Sequence, residues 1–526
     1  MKKLQHLPLA FIIAFYVIFI LRLSDYVPMW DGWDYASLQL LPAVTKPFSL
    51  FNFDLGGHAS FIYAFFLGLP WYSDPGNHFL LHTVNIILFV CTIIAFDRII
   101  INIYPDNKLN FERLVITSLY AFFPIITANL FNTNIDFGIL IFFILLLDSL
   151  VRKRYLFAII YGTGMVFSKD TGVFLYAIVI TGFFLFEIEE KSRNLLKTLR
   201  NISKELYLRW GLFLPIILFF IRTLVRVFIF HERVFWGRTD SLVNPYGGVP
   251  VPAVEKMTIS YLYTMFIIQF NWILSIFATG GAIEAILHRR SKRIIFYYFF
   301  LLVGFSLLLL QVRIFTNPRY FLPLYPLLII MSSYGFIRLI SNKVIRRVLM
   351  LSVLVLFFLS NFRTFDPISK KLFGTFAFGS HEMLNMTGIT GECCGFGRDQ
   401  LVYNLEYMQI HFILNDIFAD IKPDEKSAFI FTSWEGPYVI TRIDKSTFRR
   451  TLKIKNSISI EKNANPFTWQ FELLAEKPQL LYFIAFPNVD NRKALEYFKQ
   501  YYSVKSIKEY EKGGYAIKIY TMVHKL

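Results

Sequence analysis

Residues 134–151 read NIDFGILIFFILLLDSLV, and this stretch decides the fold class. Its centre is an unbroken run of glycine and large apolar side chains between Asp136 and Asp148. A helix that crosses the hydrocarbon core of a bilayer needs about 20 mostly apolar residues, and the whole stretch 134–151 approaches that length. The stretch therefore predicts a membrane-spanning helix.

The composition of the whole chain agrees with this prediction. Of its 526 residues, 55% are hydrophobic, 18% are aromatic and 17% are charged. A typical soluble chain has about 45–50% apolar residues and roughly 25% charged ones. One soluble globule of this length would be less apolar, so we expect a polytopic α-helical membrane protein.

Similar apolar runs recur along residues 1–362. Polar or charged segments separate these runs, and counting the runs predicts about eleven transmembrane helices. The first run shows no small-residue cleavage site, so we expect an uncleaved span and not a signal peptide. The approximate ranges are 7–27, 78–97, 111–128, 137–151, 155–168, 172–186, 210–229, 258–287, 294–312, 320–340 and 347–362.

The distribution of charge sets the predicted orientation. Spans 155–168 and 172–186 are short, but the basic clusters on either side of them, at 152–154 and 191–209, both favour the cytoplasm. The chain must then cross twice between these clusters. The basic clusters then require the N-terminus to lie in the cytoplasm. Because eleven spans are an odd number of crossings, residues 363–526 are predicted to lie on the extracytoplasmic side.

The net charge does not indicate a nucleic-acid partner. Of the 54 lysines and arginines, 22 belong to residues 363–526, where 18 acidic residues nearly balance them. The formal charge of +17 arises mostly in loops between the apolar runs, which is the orientation signal of a membrane protein. We therefore expect membrane lipids, and no nucleic acid, around this chain.

The pattern changes after residue 362, so we predict a transmembrane domain over 1–362 and a soluble α/β domain over 363–526. The second domain shows no metal-ligand spacing, phosphate-binding loop or nucleophile motif. Its predicted helices are 400–420 and 491–502, and its predicted strands are 428–433, 480–486 and 515–523.

Ionisable side chains gather in the loops that are predicted to face outward. Asp31 and Asp34 follow the first span and are flanked by tryptophans, which favour the headgroup level. This segment could be a solvated loop with an aromatic anchor, or it could hold a carboxylate that takes a proton from an acceptor hydroxyl. His58, in the same loop, would by itself more often be an ordinary surface histidine.

Further candidates stand at the outer ends of later spans. Asp136 opens the fourth span, where the helix dipole alone would favour an acid. Lys169 could pair with its neighbour Asp170 or face a ligand. Arg319, followed by Tyr320, suits bidentate contact with a phosphate, or it could extend its side chain to the membrane interface.

All of these residues are predicted to lie on the outer side of the membrane, and this common location favours a catalytic role over separate structural roles. A carboxylate that acts as a base can activate an acceptor hydroxyl, while nearby cations stabilise a departing phosphate. Transfer from a lipid-phosphate donor needs both kinds of group on one face. No metal or other cofactor is predicted to be obligatory, although the acidic residues could still bind a divalent ion.

The order of these motifs resembles the GT-C class of membrane glycosyltransferases, nearest to the branch of the protein O-mannosyltransferases and the lipid A aminoarabinose transferase. The segment DGWDY at 31–35 resembles the first-loop acidic motif of that class, and PRYFLP at 318–323 resembles its Arg-Tyr-Leu-Leu-Pro signature. The chain departs from the class at Gly32, often an acid there, and at Ala59-Ser60 in place of two prolines. The remaining matches are Gly57-His58-Ala59-Ser60, His82 with Asn85, Asn134-Ile135-Asp136 and Ser168-Lys169-Asp170-Thr171.

The resemblance implies a GT-C-like fold and an inverting glycosyltransferase. Such an enzyme would move a sugar from a polyprenyl-phosphate donor to a hydroxyl of a protein, lipid or glycan at the outer face of the membrane. The resemblance places Asp31 at the position of the catalytic base, and Asp34 and Asp136 would assist in positioning the acceptor or the donor. The expected ligands of the donor phosphate are His58, Lys169, Arg319 and Tyr320.

Two other classes of protein remain open. A transporter or flippase for lipid-linked sugars would also be polytopic, but it would place ionisable residues near the middle of its spans, where Arg222 and Arg226 are the candidates. A non-catalytic envelope assembly protein would not require Asp31 and Asp136 to converge. The separation of these two carboxylates therefore distinguishes an enzyme from a scaffold.

Overall fold

The computed structural model describes a large part of the chain. Asp31, Asp34 and His58 lie outside it, so three of the predicted site residues have no described position. The described residues are 7–23, 61–71, 73, 77–188, 209–228, 266–267, 270–288, 297, 299–306, 318–362, 371, 375–378, 381–384, 401–421, 427–431, 479–485 and 492–525.

Helices make up the described part of residues 1–362 almost entirely. Short 3₁₀ segments, Trp210–Phe213 and Pro318–Phe321, precede the ninth and eleventh of the helices named here. These helices are α1 (Leu7–Leu21), α2 (Phe61–Trp71), α3 (His78–Ile103), α4 (Asn110–Ala121), α5 (Pro124–Asn132), α6 (Ile135–Val151), α7 (Tyr155–Val166), α8 (Thr171–Ile188), α9 (Leu214–Phe228), α10 (Trp272–His288), α11 (Leu324–Leu339) and α12 (Lys343–Ser360).

The helices differ from the sequence prediction in two places. The predicted span 111–128 is two helices, α4 and α5, which are bent by 40° at their junction. Pro124 stands at the start of α5, where a missing amide hydrogen costs nothing, and it cannot continue the hydrogen bonds of α4. Helix α2 lies within residues 28–77, which the sequence predicts to be a long loop between the first two spans, with no helix at this position.

Length and composition identify one described helix, Phe79–Ile103, that could cross a membrane by itself. The bent pair α4–α5 gives a second candidate if it counts as one span. The other apolar helices among the described residues are shorter. The number of spans, about eleven, therefore stays a prediction, and so does their orientation.

Several helices leave large apolar side chains on their outward faces. Phe11 of α1 is 73% exposed, Leu156 of α7 is 68% exposed, and Val348 of α12 is 60% exposed. Extended apolar surface is rare on soluble monomers and marks a contact with lipid or another protein. These faces are the ones that the hydrocarbon of a bilayer would cover.

Helices α10 and α11 approach each other with almost no space between their backbones. A Cβ atom added to Gly335 of α11 would lie 1.9 Å from the carbonyl oxygen of Phe277 in α10. The rings of Phe277 and Phe336 stack with centroids 3.7 Å apart, and the Ser332 hydroxyl donates to the Leu274 carbonyl at 2.6 Å. Small residues permit this approach, as they do between closely packed helices in membrane proteins.

A sheet and two helices form the described part of residues 363–526. Strands β3 (Ser427–Phe431), β4 (Leu480–Ala485), β5 (Tyr502–Lys512) and β6 (Tyr515–His524) have the order β3-β4-β6-β5. The β3–β4 pair is parallel and the other two pairs are antiparallel. The helices are α13 (Leu401–Asp420) and α14 (Arg492–Tyr501), and a separate hairpin pairs β1 (Thr375–Phe378) with β2 (His381–Leu384).

Helix α13 connects this sheet to the helical part of the protein. It packs on β5 and β6 and also on α5. Ile413 and Ile417 of α13, together with Ile517 and Ile519 of β6, belong to the same buried cluster as the side chains of the N-terminal helices. The described core is thus continuous across residue 362, and the division of the chain into two domains there stays a prediction.

Candidate functional site

Asp136 occupies the first turn of α6 and is only 4% exposed. Asn134 caps this helix, because its side-chain oxygen accepts a hydrogen bond from the Phe137 amide at 3.0 Å. An asparagine cap starts the helix at a defined residue, and the positive end of the helix dipole favours a carboxylate in the first turn. The cap therefore fixes the place of Asp136 in the first turn of α6.

Lys169 reaches the same point from the turn between α7 and α8. Its ammonium group donates to Oδ1 of Asp136 at 2.7 Å, and the two side chains are 8% and 5% exposed. The two residues are 33 positions apart, so Lys169 does more than pair within its own turn. A buried lysine and a buried carboxylate at this distance form a charge-assisted hydrogen bond.

Arg319 and Tyr320 complete the group from the 3₁₀ segment before α11. Nε of Arg319 lies 3.6 Å from Oδ2 of Asp136, and the Arg319 side chain is 9% exposed. The Lys169 ammonium lies 4.3 Å from the centroid of the Tyr320 ring, at cation–π distance. Three separate segments therefore converge on one carboxylate, and the site cluster is Asp136, Lys169, Arg319 and Tyr320.

The site cluster has an excess of positive charge. Lys169 and Arg319 face a single carboxylate, and all three side chains are nearly enclosed. Two cations gathered at one nearly enclosed point provide several N–H donors that an anion could accept. Guanidinium and ammonium groups are the side chains that proteins use for phosphate.

The geometry does not favour a metal at Asp136. Both of its carboxylate oxygens face cations, so neither is directed towards an open coordination position. Among the residues that the structure describes, no group of three His, Cys, Asp or Glu side chains is placed to hold a metal ion. The cluster can bind an anion, and its own carboxylate is poorly placed to act as a free base.

A network of amides supports the loop that precedes Asp136. The Asn134 side-chain amide donates to Oδ1 of Asn129 at 2.6 Å, and the Asn129 amide donates to the Ile125 carbonyl at 2.7 Å. Thr133 between them is fully buried and has a φ of 51°, a left-handed conformation that is unusual for a β-branched residue. This turn places α6 directly after α5.

A second network holds α2 and α3 against the same region. The Tyr63 hydroxyl donates to Oδ1 of Asn85 at 2.6 Å, and the Asn85 amide donates to the Leu130 carbonyl of α5 at 3.0 Å. The Tyr63 ring also covers Gly138, where an added Cβ would lie 2.7 Å from the ring. The sequence reasoning missed Tyr63. The apolar run FIYAFFLGLPW, which begins three residues after His58, was the available signal for a helix there.

The structure thus brings together part of the predicted site. The four members of the site cluster, predicted from separate motifs, lie in contact with one another. Asp31, Asp34 and His58 fall outside the described residues, so the separation between Asp31 and Asp136 is not defined. The roles of all seven residues stay predictions.

Comparison with known proteins supports the fold. No protein-family model matches the sequence, and no curated protein matches it either. The structure is similar to the crystal structure of ArnT from Cupriavidus metallidurans bound to undecaprenyl phosphate, with a TM-score of 0.54, 10% sequence identity and 97% of each chain covered. The apo state of the same protein gives a TM-score of 0.54 and 9% identity, with 96% of this chain and 97% of that chain covered.

This similarity confirms the predicted likeness to the lipid A aminoarabinose transferase branch of the GT-C class at the level of the fold. The helices that carry the site cluster and the C-terminal sheet both fall within the aligned length, because nearly the whole chain is covered. At about one identical residue in ten, the similarity extends to the fold alone.

Proposed function

We propose that this chain is an integral membrane glycosyltransferase. It transfers a sugar from a polyprenyl-phosphate donor to a hydroxyl of a protein, lipid or glycan acceptor, with inversion at the anomeric carbon. The reaction takes place at the outer face of the cytoplasmic membrane. The N-terminus lies in the cytoplasm, and residues 363–526 lie on the side where the reaction occurs.

The observation that carries this proposal is the site cluster within this fold. Lys169 and Arg319, both nearly enclosed, lie beside the Asp136 carboxylate and come from two different segments. The ArnT structure of similar fold holds undecaprenyl phosphate, an anionic lipid. A lipid monophosphate therefore fits both the charge of the cluster and the expected apolar surroundings.

Each residue of the cluster has a role in this reaction. Lys169 and Arg319 bind the donor phosphate and stabilise the negative charge that it gains as the sugar departs. Asp136 is a positioning residue, because it directs both cations to the same point. Tyr320 holds Lys169 through its ring, and His58 is a further ligand of the phosphate.

The proposed base comes from the first loop. Asp31, assisted by Asp34, takes the proton of the acceptor hydroxyl. The hydroxyl oxygen then bonds to the anomeric carbon on the face opposite the phosphate. The bond between that carbon and the phosphate oxygen breaks, its electron pair stays with the oxygen, and polyprenyl phosphate leaves.

The experiment that tests the base is Asp31→Asn in membranes supplied with labelled polyprenyl-phosphate sugars. We expect transfer to fall by at least about 100-fold, the lower end of what a positioned general base contributes. Asp106→Asn is the matched control, since Asp106 is exposed in the loop after α3 and lies outside the site cluster. Unchanged transfer by folded Asp31→Asn would exclude Asp31 as the base.

The same assay distinguishes an enzyme from a flippase. An enzyme releases polyprenyl phosphate and a glycosylated acceptor, whereas a flippase returns the intact lipid-linked sugar on the other side of the membrane. Recovery of only intact donor from active wild-type membranes would reject the glycosyltransferase.

A further inference from the structure

A basic cavity lies at the opposite end of α6 from the site cluster. Asp148 is twelve residues after Asp136 on the same helix, which places the two carboxylates about 18 Å apart along its axis. The cavity around Asp148 has a volume of about 270 Å³ and opens between α3, α6 and α7. It is therefore distinct from the candidate site.

Regular helix faces build this cavity. Helix α3 contributes Cys91, Ile94, Ala95 and Arg98, and α6 contributes Leu145, Asp148, Ser149 and Arg152, each set with the spacing i, i+3, i+4 and i+7. Residues with this spacing lie on one side of a helix. The cavity is thus a gap between two rigid helix faces, closed on a third side by α7.

Arginines dominate the charge of this cavity. Arg98 and Arg152 each place a guanidinium nitrogen 3.6 Å from Oδ2 of Asp148. Arg154 also lines the cavity, and it forms no ion pair with a carboxylate among the described residues. Among the described residues that line the cavity, three guanidinium groups stand against one carboxylate, an excess of two positive charges.

Exposed apolar side chains lie on the helices that line the cavity, within it or one turn beyond it. On α3, Ile87 stands one turn before Cys91 and is 57% exposed, and on α7 Phe157 and Ile160 are 45% and 52% exposed. These side chains continue along the helices from the arginines towards the centre of α3 and α7. A ligand that fits must therefore be anionic at one end and apolar along its length.

We infer that this cavity binds the headgroup phosphate of an anionic phospholipid in the leaflet opposite the candidate site. Arg98, Arg152 and Arg154 contact the phosphate, and an acyl chain lies along Ile87 and Ile160. Basic pockets between helices at a membrane surface favour acidic headgroups, whereas a choline headgroup would meet two uncompensated positive charges. Free phosphate would have no contact with the apolar side chains.

Native mass spectrometry of the full-length protein in detergent tests this inference. The protein is titrated with phosphatidylglycerol or with phosphatidylcholine of the same acyl chains. We expect tighter binding of phosphatidylglycerol, and a loss of about fivefold for each arginine removed in Arg98→Gln and Arg154→Gln. Arg154→Gln breaks no described ion pair, so it tests binding with the least effect on folding, which the melting temperature checks.

Matched controls separate this site from the general charge of the protein. Lys343→Gln removes an exposed cation from the start of α12, away from the cavity, and should leave phosphatidylglycerol binding unchanged. Equal binding by the double variant, or equal binding of both lipids, would overturn the inference. Displacement of the lipid by an equal concentration of inorganic phosphate would also overturn it and assign the cavity to free phosphate.

Discussion

At the scale of single residues, the contact between Asp136 and Lys169 has consequences for both stability and ligand binding. Removing one partner of a buried ion pair leaves an uncompensated charge, which destabilises a protein by about 3–5 kcal/mol. Arg319 lies on the other side of the same carboxylate and limits that loss. The free energy of unfolding therefore depends on Asp136, Lys169 and Arg319 together.

We predict that Lys169→Met destabilises the protein by about 3 kcal/mol and raises the KM for the lipid donor. Asp136→Asn should also destabilise, because it leaves the Lys169 ammonium without its acceptor at 2.7 Å. The double variant should lose less stability than the sum of the single variants, since neither charge remains alone. Unfolding in detergent and initial transfer rates measure these effects.

Lys108→Met is the control for this cycle, because Lys108 is exposed between α3 and α4. It should change neither stability nor KM. Strictly additive losses in Asp136→Asn and Lys169→Met would show that the two side chains are not coupled.

The members of the site cluster could be proposed from short motifs because few ionisable residues stand at the predicted outer ends of the apolar runs. Each motif, such as Asn134-Ile135-Asp136, identifies a candidate residue by itself, so its partner in the folded protein need not be known. The hydrogen bonds of Asn129 and Tyr63 could not be predicted in this way. Their partners depend on the bend before α5 and on a helix that lies within a predicted loop.

At the scale of helices, the closest backbone approach is the one between α10 and α11. We predict that Gly335→Ala destabilises the protein by about 1–3 kcal/mol, because its methyl group would meet the Phe277 carbonyl oxygen at 1.9 Å and the backbone must move. Thermal unfolding in detergent measures the loss. The matched control is Gly304→Ala, whose methyl group would meet the flexible end of Leu324 at 3.3 Å.

The outcome that contradicts this prediction is an equal melting temperature for Gly335→Ala and Gly304→Ala. The two helices would then have room to separate without loss of free energy. A drop confined to Gly335→Ala would show that the contact between α10 and α11 resists separation.

The sequence predicts these elements unevenly, for a physical reason. Runs such as 78–97 and 137–151 lie within α3 and α6, because a long apolar run has few alternatives to a helix. Strand β5 has no such pattern. Most of its side chains are exposed on both faces, so the usual alternation of apolar and polar residues is absent and only its pairing with β6 reveals it.

At the scale of the whole molecule, α13 links the sheet to the helices, and its last residue also pairs with β5. Lys508 donates to the Asp420 carboxylate, and the Tyr510 hydroxyl donates to the same oxygen at 3.0 Å. These hydrogen bonds, with that of Lys508 the larger contribution, hold the pKa of Asp420 below its usual value. The contact joins the end of α13 to the edge of the sheet.

We predict that this contact weakens in acid. The pKa of Asp420 is lower in the folded protein than in the unfolded chain, so the stabilisation is present above the unfolded value and is lost as pH falls through the folded value. The effect is small because the pair is exposed to solvent. Protection of the β5 amides from hydrogen exchange, compared between neutral and acidic pH, measures it.

Asp420→Asn should show low β5 protection at both pH values, since the amide carries no charge to lose. If acid lowers the protection of the β5 amides equally in wild type and in Asp420→Asn, the acid response belongs to another group. A step seen only in wild type would assign it to Asp420.

The spacing of the site cluster along the chain also determines the order in which it is made. A ribosome completes Asp136 and Lys169 early, and these two form a pair without net charge that can enter the lipid together. Arg319 emerges only after α7 to α10 have been synthesised. The second cation is therefore added last, so the complete site cluster can form only after the helices around it have been synthesised.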